Sequence, residues 1–182
     1  MQKRMNEELQ LENGKDRLRI YPDPILMRRA IPVPNIDGEI KDIADEMIEA
    51  MITHQGIGLA APQIGILRAM TVVGTGEGVR VFINPEVIEG EGESVFEEGC
   101  LSLPTVEIPV KRKETILLRA WDLNGKEMNL ELSGLTSRVH QHEIDHLHGV
   151  LIIHHISQLK RDLLRRKMLK DLKRSRGKGD AL

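Results

Sequence analysis

Residues 141–149, with the sequence QHEIDHLHG, carry side chains that could bind a metal ion and activate water. In an α-helix, positions four apart lie on the same face, so His142 and His146 can bind one ion from adjacent turns. Glu143 is rotated by about 100° from His142, which keeps its carboxylate off the metal but close enough to take a proton from a bound water. The spacing therefore predicts a metal-binding HExxH helix with its own general base.

The residues before the histidines indicate which face of this helix is buried. Leu135, Val139, His142 and His146 follow the i, i+4, i+7, i+11 spacing of an apolar stripe, so both imidazoles should point inward. The alternative is a pair of core histidines satisfied by local hydrogen bonds. We favour a metal site, because the spacing is combined with an intervening glutamate.

Cys100 is the third candidate ligand and the only cysteine of the chain. No disulfide can therefore form within the chain, and a reducing compartment is expected. A free cysteine is usually a small buried hydrophobe. Cys100, however, follows Gly99 and the acidic pair Glu97-Glu98 in a chain that already has two helix-borne ligands. One thiolate and two imidazoles leave a tetrahedral ion one open position, which is typical of a catalytic site.

A segment of small residues, GIGLAAPQIG at 56–65, supplies a candidate hydrogen-bond donor. It is too apolar for a surface loop, and its glycines would let another backbone approach closely. Gln63 is a candidate oxyanion donor, with a loop-tying amide as the alternative. The backbone N–H of Leu101, next to the cysteine, is a second donor. Together with Glu143, these groups predict metal-assisted hydrolysis of an amide or related carbonyl.

Three segments resemble the signature motifs of the peptide deformylases, in the family's order along the chain. They are GIGLAAPQ at 56–63, EGCLS at 98–102 and QHEIDHLHG at 141–149. The resemblance implies a hydrolase that removes the N-formyl group from the initiator methionine of nascent proteins and releases formate. Two other classes are less consistent with the sequence. An ordinary HExxH metallopeptidase lacks its usual third ligand here, and a metal-holding binding protein would not need the base.

The resemblance also implies a role for each matching residue. Glu143 is implied as acid and base, and Gln63 and the Leu101 N–H as donors to the formyl oxygen. The ligands implied for one divalent ion are Cys100, His142 and His146. Fe(II) is the ion expected, with Zn, Ni or Co as alternatives, because such a donor set suits several metals.

The methionine side chain of such a substrate requires a flexible apolar pocket. The resemblance places the extended peptide beside GIGLAAPQ, as an added strand would lie, and the glycines suit that approach. Leu135 and Val139 are expected in this pocket because they share the helix face that bears the histidines. The predicted substrate-binding residues are Gly56, Ile57, Gly58, Leu59, Leu135 and Val139.

The remaining patterns predict an α+β fold of antiparallel sheets packed around the HExxH helix. An apolar periodicity after Asp37 predicts an amphipathic N-terminal helix over 38–54. Asn124-Gly125 predicts a hairpin, and Asn84-Pro85 is expected to end a strand. The strands predicted are 69–73, 79–83, 87–96, 114–122 and 126–132. The HExxH helix is expected to be bounded by Ser133 and Gly149.

The chain of 182 residues is expected to form a single catalytic domain, 1–182, in which 1–18 is a polar N-terminal segment. A basic helix is expected over 157–174, followed by a frayed tail over 175–182. Residues 157–182 contain ten Lys or Arg and three Asp, a net charge of +7, which leaves −9 for the rest of a chain of net charge −2. Such a helix either binds an anionic partner or is simply solvated.

The resemblance suggests the ribosome as that partner, with phosphate contacts that do not read sequence. The basic residues concerned are Lys160, Arg161, Arg165, Arg166, Lys167, Lys170, Lys173 and Arg174. No apolar run approaches the roughly 18 residues of a membrane span, and the first residues lack the apolar centre of a signal peptide. We therefore expect a cytoplasmic protein without a membrane partner, with an organelle as the alternative location.

Overall fold

The computed structural model describes residues 18–76 and 78–179, with side chains through Met168 except that of Thr75. Within these residues the helices are α1 (Gly38–Thr53), α2 (Gly134–Leu147) and α3 (Gln158–Gly179). The strands are β1 (Gly58–Ala60), β2 (Met70–Thr75), β3 (Gly78–Glu91), β4 (Ser94–Cys100), β5 (Leu103–Arg112), β6 (Thr115–Trp121) and β7 (Glu127–Ser133). Short 3₁₀ helices occupy Pro24–Met27, Ala61–Ile64 and Ile152–His155. The predicted α+β class is confirmed.

The paired strands are antiparallel and form two sheets. The larger sheet has the order β1-β2-β3-β6-β7, and the smaller one pairs β4 with β5. The predicted hairpin is present, with β6 and β7 joined by a turn in which Gly125 has a φ of +75°. Only Gly125 of the Asn124-Gly125 pair is left-handed, so the hairpin is closed by a longer loop with one such residue and not by the two-residue turn in which both are left-handed.

Helices α1 and α2 cover opposite faces of the larger sheet. Asp37 starts α1 as expected, since its Oδ1 accepts a hydrogen bond from Ile40 N–H at 3.3 Å. Val72 of β2 packs in one core cluster with residues of α1, whereas Val73 packs in another with Val139 of α2. Successive side chains of a strand point to opposite faces, so this division follows from the pleat. On the second of these faces, α2 also packs against β1, where Gly58 lies next to Val139.

The predicted strand end at Asn84-Pro85 is wrong. Strand β3 continues through these residues to Glu91, with a register shift across the proline. Asn84 has a φ of +49°, and its side-chain amide both donates to and accepts from the backbone of Val33 at 2.8 Å. A bulge accommodates proline because its missing N–H is not needed in the ladder there.

The predicted strand over 87–96 is divided between the two sheets. Strand β3 ends at Glu91, Gly92 turns the chain with a φ of +62°, and β4 begins at Ser94. The sequence patterns also fail to predict β5, because Pro104 and Pro109 obscure its alternation of buried and exposed residues. In a two-stranded sheet each strand has an unpaired edge, where proline is tolerated.

The helix ends differ partly from expectation. Ser133 precedes α2, but its side chain makes no capping hydrogen bond. Gly149 follows α2 with a φ of +72°, and a side chain there would meet the Met27 carbonyl oxygen at 2.6 Å. Helix α3 continues to Gly179, so the tail expected to fray is helical over 175–179. Residues 180–182 and 1–17 lie outside the described residues.

Candidate metal centre and active site

Helix α2 and the end of β4 bring the three predicted metal ligands together. The donor atoms of Cys100, His142 and His146 all lie within 4.8 Å of one another. Cys100 Sγ is 3.2 Å from His146 Nε2, and the two imidazole centroids are 5.0 Å apart. Helical spacing produces the histidine pair, whereas the strand brings the thiol to it from a separate sheet.

The donor chemistry fits one divalent ion. Thiolate and imidazole suit zinc, iron and other first-row ions, and three protein donors leave a position for water or substrate. His142 Nδ1 lies 3.0 Å from Glu98 Oε2, which leaves Nε2 for the Cys100 side of the ring. A carboxylate on the second ring nitrogen is typical of metal-bound histidines. His146 Nδ1 is buried and has no hydrogen-bond partner among the described residues.

The two imidazoles experience opposite electrostatic environments. Burial disfavours charge on His142, but hydrogen bonds with Cys100 and Glu98 outweigh it and raise the pKa of His142 to about 10. Burial and the nearby charge of His142 lower the pKa of His146 well below its ordinary value. The cluster thus favours positive charge on the His142 side. The Glu98 carboxylate, which favours a proton on His142, also favours a cation bound to that ring.

Glu143 projects from α2 into a cavity that Cys100 and His142 also line, and it is only 4% exposed. Burial, opposed by the positive charges of His142 and Arg112, raises the pKa of Glu143 to about 7. Among the described residues, its Oε2 has no hydrogen-bond partner. A carboxyl group with a pKa near neutrality can both accept a proton and return it during a reaction.

Gln63 combines the two roles considered from the sequence, one at each end of its amide. Its Oε1 accepts a hydrogen bond from Ala60 N–H at 2.8 Å, which ties the 3₁₀ turn. Its Nε2 lies 3.3 Å from Ser102 Oγ and 3.9 Å from Cys100 Sγ, so the donor end faces the predicted ligands. Leu101 lies in the turn after β4 and lines the same cavity.

A cavity of about 390 Å³ connects these groups. Ile57 and Leu135 lie at its mouth, where they are 56% and 66% exposed, so Leu135 is not buried on the helix stripe as predicted. His146 is 1% exposed and does not line the cavity. The predicted site residues that do line it are Gly56, Ile57, Gly58, Gln63, Cys100, Leu101, Leu135, Val139, His142 and Glu143.

Leu59 does not line this cavity, and its prediction as a pocket residue is wrong. Its side chain is fully buried in the core cluster that includes Met47 of α1. The neighbouring Gly58 faces Glu143 on α2 instead. Because successive strand residues point to opposite faces, the residue after Gly58 must point away from the site.

A buried ionic network behind His142 was not predicted from the sequence. Glu98 accepts two hydrogen bonds from Arg112, each at 3.0 Å, and one from Arg138 at 2.6 Å. Arg112 also donates to Asp145 at 2.6 Å. Burial would raise the pKa of Glu98, but hydrogen bonds from His142 and Arg112 lower it to about 2. Glu98 is therefore an anion at neutral pH.

Two signals for this network are present in the sequence. Glu98 is two residues before Cys100 and so shares its side of the strand, and Arg138 is one helical turn before His142. Each charged residue therefore accompanies a predicted ligand. Which of the charges pair depends on the packing of β4 against α2.

The cavity joins a Cys/His₂ donor set, a buried carboxyl group and an amide donor on a frame of antiparallel sheets. These features define a metal-dependent hydrolase of amide-type carbonyls. The family model described as polypeptide deformylase matches residues 15–162, and the chain belongs to that family. Its members remove the N-formyl group from nascent polypeptides and use a single divalent metal ion. The chain is accordingly a hydrolase of protein biosynthesis.

Individual relatives cover most of the chain. A peptide deformylase of Thermodesulfovibrio yellowstonii is 47% identical over 152 residues, which is 81% of this chain and 92% of the relative. A crystal structure of a peptide deformylase from Legionella pneumophila has a TM-score of 0.82 at 37% identity, covering 89% of this chain and 97% of the other. That from Thermotoga maritima has a TM-score of 0.75 at 42% identity, covering 77% and 96%.

No described helix combines the length and the apolar composition that a bilayer crossing requires.

Proposed function

We propose that Cys100, His142 and His146 hold one Fe(II) ion and that Glu143 is the acid and base of deformylation. The observation that carries the proposal is the convergence of three donor atoms within 4.8 Å, two of them in the wall of the cavity that also holds the buried carboxyl group. When bound, the ion supplies Lewis-acid chemistry, polarising the formyl carbonyl and making water more acidic. Zinc, nickel and cobalt suit the same donors, so the choice of Fe(II) rests on the family resemblance.

The chain's own groups supply proton transfer and charge stabilisation. Glu143 accepts a proton from the attacking water as the new C–O bond forms. It delivers that proton to the methionine nitrogen as the C–N bond breaks, so the products are formate and a free amino terminus. Gln63 Nε2 and the Leu101 N–H donate to the formyl oxygen, where negative charge develops.

The substrate lies along β1, with its methionine side chain in the cavity. Strand β1 is at the edge of the larger sheet, so one side of it is available to pair with an extended peptide. Gly56 and Gly58 allow the peptide backbone to approach. Ile57, Leu135 and Val139 contact the methionine side chain, and all of them line the cavity.

The test is anaerobic formate release from an N-formyl-Met tripeptide by the Fe(II) protein and by Glu143→Ala. The parent should release formate rapidly, and the variant should lose nearly all turnover while it retains the metal. Exposed Glu127→Ala is the matched control and should behave as the parent. A fully metallated parent that leaves the formyl peptide intact would contradict the proposal, as would cleavage of the unformylated tripeptide at comparable rate.

We further propose that α3 brings the enzyme to ribosomal RNA. The family acts on nascent polypeptides, and Lys160, Arg165, Arg166 and Lys167 are exposed on this helix. Arg161 is already committed within the chain, since its Nε donates to Ile153 O at 3.1 Å. The side chains of Lys170, Lys173 and Arg174 lie outside the described residues.

Co-sedimentation with ribosomes tests this role. Replacing the four exposed cations by glutamine should weaken binding, and binding by the parent should fall steeply with salt, because phosphate contacts release counterions. The control replaces the exposed Lys111 and Lys126 by glutamine, which removes positive charge by the same substitution outside α3. If both variants sedimented equally with ribosomes, α3 would be a solvated helix that does not contribute to binding.

We place this activity in the cytoplasm, and we treat residues 1–182 as one catalytic domain. Nascent polypeptides are made there, and the larger sheet packs one buried cluster against α1 and another against α2. Fractionation of cells should recover the chain with the ribosomal and soluble fractions, and its denaturation should show one transition. Recovery in an organelle, or two separate transitions, would contradict these assignments.

A further inference from the structure

Arg138 places a buried guanidinium in the wall of the substrate cavity. The residue is 7% exposed, and its two terminal nitrogens make four hydrogen bonds. Nη1 donates to Glu98 Oε1 at 2.6 Å and to Val110 O at 2.9 Å. Nη2 donates to the backbone and side-chain oxygens of Ser94, both at 3.0 Å. The terminal nitrogens of this guanidinium therefore donate to strands β4 and β5 rather than to solvent.

The other oxygen of Glu98 reaches a predicted metal ligand. Glu98 Oε2 lies 3.0 Å from His142 Nδ1, while Arg112 donates to both carboxylate oxygens at 3.0 Å. Glu98 therefore joins Arg138 to His142, two residues of α2 that are one helical turn apart. It is also two residues before Cys100 on β4. The carboxylate spans the gap between the strand that carries the thiol and the helix that carries the imidazoles.

We propose that Arg138 is a positioning residue for metal binding. It clamps Glu98 against α2, so that Glu98 fixes the ring of His142 and the separation between that ring and Cys100. The inference rests on the metal centre proposed above and adds a residue to its support. Arg112 holds Glu98 to β5 and reaches α2 only through Asp145, whereas Arg138 joins Glu98 directly to the helix that bears the ligands.

The experiment measures affinity for Co(II) by chelator competition, independently of turnover. Arg138→Leu should weaken binding by about tenfold, since loss of groups that orient metal ligands typically costs 10- to 100-fold. The intensity of the thiolate-to-Co(II) absorption should change in parallel. Arg138→Lys retains the charge but cannot span Glu98 and Ser94 together, so it should give an intermediate loss. If Arg138→Leu does not fold, the affinity of Arg138→Lys for Co(II) tests the proposal in its place.

A double-mutant cycle separates positioning from a general effect on the fold. If Arg138 acts through Glu98, Arg138→Leu should change Co(II) affinity little in a Glu98→Gln background. Arg119→Leu, which removes an exposed arginine paired with Glu86, is the matched control and should bind as the parent.

The outcomes distinguish this inference from the metal centre itself. Equal affinity of the parent and Arg138→Leu, or additive effects in the cycle, would overturn the role of Arg138 alone. A parent that binds no Co(II) would overturn the metal centre and this inference with it.

Discussion

Gly58 lies directly against the Glu143 carboxylate. A Cβ at residue 58 would overlap Glu143 Oε1 and come within 2.8 Å of Val139 Cγ1. The backbone of Gly58 is not in the left-handed region, so the glycine is required by this close approach rather than by its φ. The edge strand and the proposed base are thus in contact, with no space for a side chain between them.

Gly58→Ala should therefore displace Glu143 and reduce kcat/KM by about 100-fold, the loss typical of a displacement of about 1 Å at a reacting group. Metal content should be unchanged, because the overlap involves the carboxylate and not a ligand. Formate release and metal analysis check the two expectations. Gly74→Ala is the control, since its added Cβ meets Ile57 O only at 3.6 Å. Full activity of Gly58→Ala would refute the argument.

Gln63→Glu separates the two ends of the Gln63 amide. The substituted side chain can still accept a hydrogen bond from Ala60 N–H, so the turn should keep its conformation. Its carboxylate form cannot donate, so at a pH where the group is ionised kcat should fall by roughly 10²–10³, the usual cost of losing one oxyanion donor. Circular dichroism and steady-state kinetics measure the two effects. Unfolding without a specific loss of kcat would instead assign Gln63 to loop tying.

Metal removal should destabilise the protein, because the three donors come from two separately hydrogen-bonded parts of the fold. At metal concentrations 1,000 times Kd, binding to the native state contributes about 4 kcal/mol, which corresponds to a change in Tm on the order of 10 °C for a chain of this size. Differential scanning calorimetry with chelator, and again after metal is restored, measures this change. His146→Ala should show no metal-dependent shift. A parent whose Tm ignores chelator would contradict the prediction.

Acid should weaken the fold through His154. Its Nδ1 accepts a hydrogen bond from Leu151 N–H at 2.9 Å. Burial, followed by the nearby charges of Arg161 and His155, lowers the pKa of His154 below its ordinary value of 6.5. As pH falls below about 6.5, His154 binds a proton in the unfolded chain before it does so in the native protein. The contribution of neutral His154 to the free energy of unfolding, present at higher pH, is therefore lost.

The check compares urea unfolding at pH 7.5 and 5.5 for the parent and His154→Asn, which keeps an acceptor that does not titrate. The free energy of unfolding should drop less between these pH values in the variant. Exposed His148→Asn serves as the control and should follow the parent. Identical pH dependence in all three proteins would exclude a contribution from His154.

The convergence of Cys100, His142 and His146 could be predicted, because the geometry of the histidine pair is local to one helix. The four-residue spacing of His142 and His146 determines their common helix face, and Cys100 was the single thiol available. Glu98 and Arg138 could not be paired in the same way, because their contact depends on how β4 packs against α2. Periodicity locates a charged residue on a face without specifying its partner.

The errors in the fold prediction have similarly specific causes. Pro85 was treated as the end of a strand, but a bulge supported by the Asn84 side chain lets β3 continue through it. Leu59 was assigned to the pocket because its segment as a whole was expected there. Once β1 is recognised as a strand, the alternation from Gly58 assigns Leu59 to the core.

The four hydrogen bonds of Arg138 also bear on inhibitor design. Its two terminal nitrogens are already saturated by Glu98, Val110 and Ser94. If an inhibitor placed a polar group against this wall, that group would lose its hydrogen bonds to water and gain none from those nitrogens. Although the wall contains a cation and an anion, medicinal chemistry should treat it as a surface for aliphatic groups.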